Sequence, residues 1–174
     1  LSFPQFGPAF INLDLTTACN YHCPYCVDIG ILNSGSQFGF SQVCQMIDNL
    51  CNHGLRAVLL IGGGEPTLHK DFVSVVRYLK EKGLQVGIVT NGSFMDKVIE
   101  VAKYLRNPDW IRVSLDAASN ELFQEIHRPN IKINLTDICN KMNEIKNINK
   151  SVIIGGEYTI IWKGIEINGI ELPE

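Results

Sequence analysis

The sequence has no apolar run long enough to cross a membrane and no excess of basic residues. A membrane span needs about 18 or more consecutive apolar residues, and no charged start followed by an apolar segment marks a secretory signal. The 174 residues contain 18 acidic and 15 basic side chains, which give a formal net charge of −3. We therefore expect a cytoplasmic protein that binds neither membranes nor nucleic acid.

Low-complexity segments and linker-like stretches are also missing, and the length suits one compact domain with a substantial core. We expect a single domain over residues 1–174, in which 10–156 carries recognisable strand and helix units and 157–174 forms a β-rich tail. The chain begins at Leu1 rather than at a methionine. Flanking segments or further domains at either end therefore remain open.

Hydrophobic periodicity predicts strands that alternate with helices. Strand patterns occur at 10–15, 57–61, 85–89, 110–116 and 151–156. Helix patterns run from an N-cap at Ser41 to Gly54, from Phe72 to Gly83, and over 95–105, 120–127 and 135–145. This alternation favours a parallel sheet of the α/β class. A closed eight-unit barrel needs about 250 residues, so five units predict an incomplete barrel, with an open sheet as the alternative.

Four loops at predicted strand ends carry chemically useful residues. They contain the cysteines after the first strand, Gly-Gly-Gly-Glu-Pro after the second, Thr-Asn-Gly after the third and Ser-Leu-Asp at the end of the fourth. In parallel α/β folds, working residues gather at the carboxyl ends of the strands. We therefore expect these four loops to meet at one mouth.

The first loop, "LTTACNYHCPYCVDIG", holds Cys19, Cys23 and Cys26 but no fourth cysteine. Thiolates select zinc or iron-sulfur clusters, and a structural zinc site normally has four ligands in two spaced pairs. No second pair exists here, and His22 adjoins Cys23 too closely for both to bind one ion well. A [4Fe-4S] cluster held by three cysteines would leave one iron open to another ligand.

The other three cysteines lie in helical patterns and are predicted to be buried core thiols rather than ligands. They are Cys44, Cys51 and Cys139. A disulfide framework is not expected, because three of the six cysteines crowd into eight residues of one loop. A reducing compartment suits this distribution.

The spacing Cys19-x3-Cys23-x2-Cys26, with Tyr25 before the last cysteine, resembles the cluster motif of the radical S-adenosylmethionine (SAM) superfamily. The run Gly63-Gly64-Glu65-Pro66 is similar to the GGEP motif of that family. The resemblance implies a partial (β/α)6-type TIM barrel, truncated here on its C-terminal side. It also implies that Cys19, Cys23 and Cys26 bind a [4Fe-4S] cluster whose open iron chelates the methionine part of SAM.

The implied function is that of a radical SAM enzyme. The cluster would reductively cleave SAM to a 5′-deoxyadenosyl radical, which abstracts hydrogen from an unidentified substrate, either a small molecule or a peptide. An electron donor such as flavodoxin or ferredoxin is implied as a partner. No residue stands out as a catalytic group or hydrogen-atom donor.

The resemblance also suggests residues that contact SAM. Gly63 and Gly64 would approach its amino group, Glu65 would fix their loop, and Tyr25 would shield the cluster. Asn91 and Ser114 would face its carboxylate, Asp116 its ribose, and Arg128 a carboxylate of SAM or substrate. The stretch "SLDAASNELFQEIHRP" is similar to the fourth-strand region of molybdenum-cofactor (MoaA-type) members of the superfamily.

Other interpretations of these patterns stay open. Thr90-Asn91-Gly92 also fits an ordinary turn after a strand, and Asp116 also fits the cap of the following helix. A phosphate-binding loop is disfavoured because Gly62-Gly63-Gly64 completes no nucleotide motif and Glu65 would repel phosphate. For the whole chain, the alternatives are an iron-sulfur electron carrier and a zinc-stabilised binding domain.

Overall fold

A five-stranded parallel sheet forms the centre of the fold. The structure is a computed structural model that describes residues 6–159, 166–167 and 170–171. The strands are β1 (Phe10–Leu13), β2 (Ala57–Leu60), β3 (Gln85–Thr90), β4 (Trp110–Ser114) and β5 (Ile153–Glu157). Each strand pairs in parallel with its predecessor, so the spatial order is β1-β2-β3-β4-β5. This consecutive order is the winding of a barrel, whereas a doubly wound sheet reverses direction part-way. The predicted partial barrel is confirmed.

Helices connect successive strands. They are α1 (Phe40–Asn52), α2 (Phe72–Glu81), α3 (Met95–Ala102), α4 (Asn120–His127) and α5 (Leu135–Ile148), and a short 3-10 helix covers Pro66–Leu68. The tail contributes an antiparallel pair, β6 (Glu166–Ile167) and β7 (Ile170–Glu171), while the rest of the predicted β-rich segment after Thr159 lies outside the described residues. Within the described ranges, no helix is both long and apolar enough to span a membrane.

The core lies between the sheet and its helices. Alternate strand residues are buried against the helices, and they include Val58, Leu60, Val86, Ile88, Ile111 and Val113. The helices complete this core with their apolar stripes, including Val43, Ile47, Phe72, Val75, Val98 and Ile138. This packing involves the middle of the strands, so the polar residues that follow the strand ends are left available for a site.

Several local predictions differ from the structure. Helix α1 begins at Phe40 rather than after Ser41, because Gly39 is its N-cap and donates its N–H to Gln42 Oε1 at 2.7 Å. Helix α3 ends at Ala102 and α5 extends to Ile148, since no glycine or proline stops α5 earlier. The three helical cysteines are half-buried rather than buried, although Cys51 and Cys139 pack against the core.

A buried ion pair stabilises the amino-terminal side of the sheet. Lys80 Nζ lies 2.6 Å from Asp109 Oδ2, and both side chains are buried. Asp109 also accepts hydrogen bonds from the backbone N–H groups of Val86 and Arg106, each at 2.8 Å. The carboxylate therefore joins α2, the start of β3 and the turn before β4 at the end of the sheet opposite the cysteines.

We expect Asp109→Ala to lower the free energy of unfolding by about 3–5 kcal/mol, because it leaves a buried ammonium group uncompensated. Urea denaturation measures the loss. The matched control is Asp96→Ala, which breaks an ion pair between Lys141 and a largely exposed carboxylate and should change stability little. Equal effects of the two substitutions would contradict the importance of the buried pair.

Candidate active site

The cysteine loop between β1 and α1 is folded back on itself by hydrogen bonds. Cys19 N–H donates to Asn33 Oδ1 at 2.9 Å, and Asn33 N–H donates to Thr17 O at 2.7 Å. Thr17 N–H in turn donates to Ser36 O at 2.9 Å. These contacts fix the position of Cys19 just beyond the end of β1.

The same loop is held against the end of α4. His22 N–H donates to His127 O at 3.1 Å, and Asn130 N–H donates to Asn20 O at 3.0 Å. The Tyr21 ring packs edge-on against Phe123, with ring centroids 6.0 Å apart, and lies 5.7 Å from the His127 ring. The stretch between Cys19 and Cys23 is therefore positioned by residues more than 100 positions later in the chain.

The three thiols of this loop are free and half-buried. Burial raises the pKa of Cys19, and burial together with the neighbouring Cys19 and Cys26 raises the pKa of Cys23 to about 12. The Cys23 Sγ lies 3.3 Å from His127 Nδ1. The neighbouring thiols thus oppose the ionisation of Cys23, and a positively charged metal centre would remove that penalty.

The surroundings of the three thiols can be compared with what a bound cluster requires. Among residues 6–159, no group of three or more His, Cys, Asp or Glu side chains is placed to hold one metal ion. A [4Fe-4S] cluster spreads its ligands because each thiolate binds a different iron. The buried donors Asn20 Nδ2 and Tyr21 OH also have no hydrogen-bond partner among the described residues. An acceptor-rich group, such as a cluster with its sulfides, would satisfy such donors.

The glycine loop after β2 packs directly on the cysteine loop. Gly62 and Gly63 adopt positive φ values of 82° and 65°, which favour glycine. A Cβ added to Gly64 would lie 2.3 Å from the carbonyl oxygen of Ala18, so only glycine fits there. The next residue, Glu65, donates its N–H to the same oxygen at 2.8 Å. Backbone of the two loops is therefore in direct contact.

Glu65 connects the glycine loop to the end of β3. Its Oε1 accepts from Thr67 N–H at 3.0 Å, Thr67 Oγ1 at 2.6 Å and Thr90 Oγ1 at 2.7 Å, and its Oε2 accepts from Asn91 N–H at 2.7 Å. The side chain is buried. Burial raises the pKa of Glu65, while the four donors oppose that rise. With both oxygens engaged, Glu65 holds the loops in place and is not free to act as a base.

Asn91 lies beside the first cysteine. Its Nδ2 donates to Asn20 Oδ1 at 3.0 Å and lies 4.0 Å from Cys19 Sγ. Its Oδ1 accepts from Ser93 N–H at 2.9 Å, so the same side chain also forms the ordinary turn that the sequence allowed. The loops after β1, β2 and β3 therefore meet at one mouth.

The polar residues at the end of β4, Ser114 and Asp116, differ from each other in their contacts. Ser114 is half-buried and lies opposite Glu157 of β5. Asp116 accepts from Thr159 N–H at 2.6 Å through Oδ1, and its Oδ2 lies 3.4 Å from His127 Nε2. Asp116 does not cap α4, because Ser119 Oγ accepts from Leu122 N–H there.

Two predicted site residues are not brought into the mouth by these contacts. Arg128 is exposed at the end of α4, where its Nε donates to Glu125 O at 3.3 Å. Tyr25 is 42% exposed on the cysteine loop. Their predicted roles, on a carboxylate and beside the cluster, remain predictions.

Sequence analysis missed several residues of this site. Asn20 and Tyr21 lie inside the cysteine motif, and their position between two candidate ligands was a usable signal. Asp28, two residues after Cys26, accepts from Gly63 N–H at 3.1 Å. His127 had no local signal, since its contact with Cys23 depends on the tertiary fold.

The family model for the radical SAM superfamily matches residues 13–161. The chain belongs to the radical SAM superfamily. Its enzymes use a [4Fe-4S] cluster and SAM, and the free thiols and unpartnered donors of this mouth fit such a cluster. The resemblance stated from the two sequence motifs is thereby confirmed.

Curated relatives match part of this chain at moderate sequence identity. The S-adenosylmethionine-dependent nucleotide dehydratase of Selenomonas ruminantium is 39% identical over 85 residues, which are 49% of this chain and 30% of that protein. A probable GTP 3′,8-cyclase of Sulfurisphaera tokodaii is 32% identical over 125 residues, which are 70% of this chain and 39% of that protein. The chain thus spans roughly a third of the length of these relatives.

Solved radical SAM structures share the fold at lower identity. Streptococcus suis SuiB bound to its precursor peptide SuiA superposes with a TM-score of 0.73 at 17% identity, covering 91% of this chain and 35% of that one. SuiB bound to S-adenosylmethionine gives a TM-score of 0.71 at 19% identity, with coverages of 91% and 34%. Identities this low show a common fold, which is the radical SAM partial barrel.

We expect Gly64→Ala to lower the free energy of unfolding by about 3 kcal/mol and to abolish iron uptake, because its methyl group would overlap the Ala18 carbonyl. Thermal unfolding and iron content after anaerobic reconstitution measure the two effects. Gly30→Ala is the matched control on the cysteine loop, since a Cβ there meets nothing within 4 Å. A Gly64→Ala protein that behaves like the control would refute the close contact of the two loops.

We expect Glu65→Gln to lower the free energy of unfolding by about 3 kcal/mol. A carboxylate only accepts hydrogen bonds, whereas the amide of glutamine carries an N–H2 group that donates. This N–H2 group would face the donors of Thr67, Thr90 or Asn91, so a buried donor would be left unpaired. Urea denaturation tests this, with Glu100→Gln on the exposed side of α3 as the control. If both variants unfold at the same urea concentration, Glu65 does not hold the loops together.

Proposed function

We propose that this chain is the catalytic core of a radical SAM enzyme, in which Cys19, Cys23 and Cys26 bind the [4Fe-4S] cluster. The observation that supports the proposal is the direct contact between the cysteine loop and the glycine loop through Ala18 and Glu65. Three thiolates leave one iron open, and the adjoining glycine loop offers backbone for the ligand of that iron. When bound, the cluster and SAM supply the electron and the 5′-deoxyadenosyl radical that abstracts hydrogen from the substrate.

The chain's own residues would bind and orient SAM. The backbone carbonyls of Gly63 and Gly64 can accept hydrogen bonds from its ammonium group, and so can that of Gly62, which also accepts from Gly64 N–H at 2.7 Å. Asn91 and Ser114, at the ends of β3 and β4, are the proposed polar contacts to its carboxylate. Asp116 and Arg128 rank below these two, because both oxygens of Asp116 contact other groups of the chain and Arg128 is exposed beside Glu125.

The substrate is proposed to bind at the same mouth. A small molecule is favoured over a peptide, because the relatives with 32–39% identity are named for small molecules: a nucleotide dehydratase, GTP 3′,8-cyclases and, at 35% identity, an Fe-coproporphyrin III synthase. The structure with a bound peptide precursor shares 17% identity. Nucleotides are therefore the first substrate class to assay. Flavodoxin or ferredoxin is the proposed electron donor, and the six free cysteines favour the reducing cytoplasm.

We expect Cys23→Ser to lose the cluster and to form no 5′-deoxyadenosine, because one thiolate ligand is removed. The measurements are iron and sulfide per chain after anaerobic reconstitution, and 5′-deoxyadenosine after addition of dithionite and SAM. Cys139→Ser on α5 is the matched control, and it should keep the cluster and the SAM cleavage.

The electron paramagnetic resonance (EPR) spectrum of the reduced wild-type protein separates this function from its alternatives. The spectrum should change when SAM is added, since SAM would bind the open iron. A reduced cluster with a spectrum insensitive to SAM would indicate an electron carrier, and colourless protein with one zinc per chain would indicate a structural zinc site.

A further inference from the structure

The hydroxyl group of Tyr21 is buried without a partner. The side chain is 1% exposed, and its phenolic oxygen makes no hydrogen bond to any residue that the structure describes. Buried side-chain hydroxyls in folded proteins are nearly always hydrogen-bonded, because leaving one unpaired destabilises the fold. This hydroxyl therefore requires a hydrogen-bond acceptor that the described chain does not provide.

The position of Tyr21 points to the cluster as that acceptor. The residue lies between Cys19 and Cys23, and its ring is fixed against Phe123 and His127 at centroid distances of 6.0 and 5.7 Å. His127 itself lies 3.3 Å from Cys23 Sγ through Nδ1. The aromatic ring is thus part of the wall that positions Cys23.

The neighbouring carboxylate does not supply the missing acceptor. The phenolic O–H of Tyr21 is a hydrogen-bond donor. Both oxygens of Glu65 already accept hydrogen bonds from other groups. No sulfur atom of the described chain lies within hydrogen-bond distance of the hydroxyl either, so the sulfides that a cluster would bring are the acceptors we consider.

We propose that Tyr21 donates a hydrogen bond to a sulfur atom of the bound cluster and thereby raises the reduction potential of that cluster. The inference rests on the proposed function, because it takes the three cysteines as cluster ligands. A donor to a cluster sulfur stabilises the more negatively charged reduced form, which makes reduction easier. Tyr21 is thus a positioning and tuning residue, and it takes no part in hydrogen abstraction.

Tyr21→Phe tests this inference, because it keeps the ring and removes only the hydroxyl. An EPR-monitored redox titration of the reconstituted protein should show a more negative midpoint potential than wild type, at equal iron content. Tyr104→Phe is the matched control, since this half-buried tyrosine follows α3 and precedes the start of β4, away from the carboxyl ends of the strands. Its midpoint potential should equal that of wild type.

Thermal unfolding of the cluster-free protein supplies a second readout. Tyr21→Phe should unfold at the same temperature as wild type or higher, because it removes an unpaired buried hydroxyl. A midpoint potential equal to wild type, or a cluster-free variant that unfolds at a lower temperature, would overturn the inference while the cluster assignment stands. A wild-type protein that binds no cluster would overturn the proposed function and this inference together.

Discussion

The buried carboxylate of Glu65 is the interaction on which the mouth of this barrel depends. It collects four hydrogen bonds from Thr67, Thr90 and Asn91, while the backbone of the same residue bonds to Ala18. One residue thereby fixes the loops after β1, β2 and β3 relative to one another. Because an ionised carboxylate accepts but cannot donate, the network specifies a single arrangement of these donors.

The two ends of the sheet differ in how completely their polar groups are paired. At the amino-terminal end, the Lys80–Asp109 pair satisfies its own charges and two backbone donors. At the carboxyl end, Asn20 and Tyr21 keep donors without partners in the described chain, and the neighbouring thiols oppose the ionisation of Cys23. Polar groups left for binding therefore lie at the carboxyl end, where parallel α/β folds place their sites.

Sequence patterns predicted those features that local interactions determine. Helix α4 has the predicted bounds because Ser119 caps its start and Pro129 follows its end, and the two motifs placed the cysteine and glycine loops at strand ends. The contact of His127 with Cys23 and the bond from Thr159 N–H to Asp116 were not predictable, since they join residues 104 and 43 positions apart. Asp116 therefore looked like a free ligand in the sequence, although the fold engages both of its oxygens.

The hydrogen bonds between the cysteine loop and the end of α4 also determine when, during synthesis, this loop can reach its final position. The loop is made early in synthesis, but His22 and Asn20 bond to His127 and Asn130, which follow four strands of the sheet. During translation, the cysteines therefore leave the ribosome long before the wall that positions them exists. The cysteine loop therefore reaches its final position only after the chain has folded through Asn130.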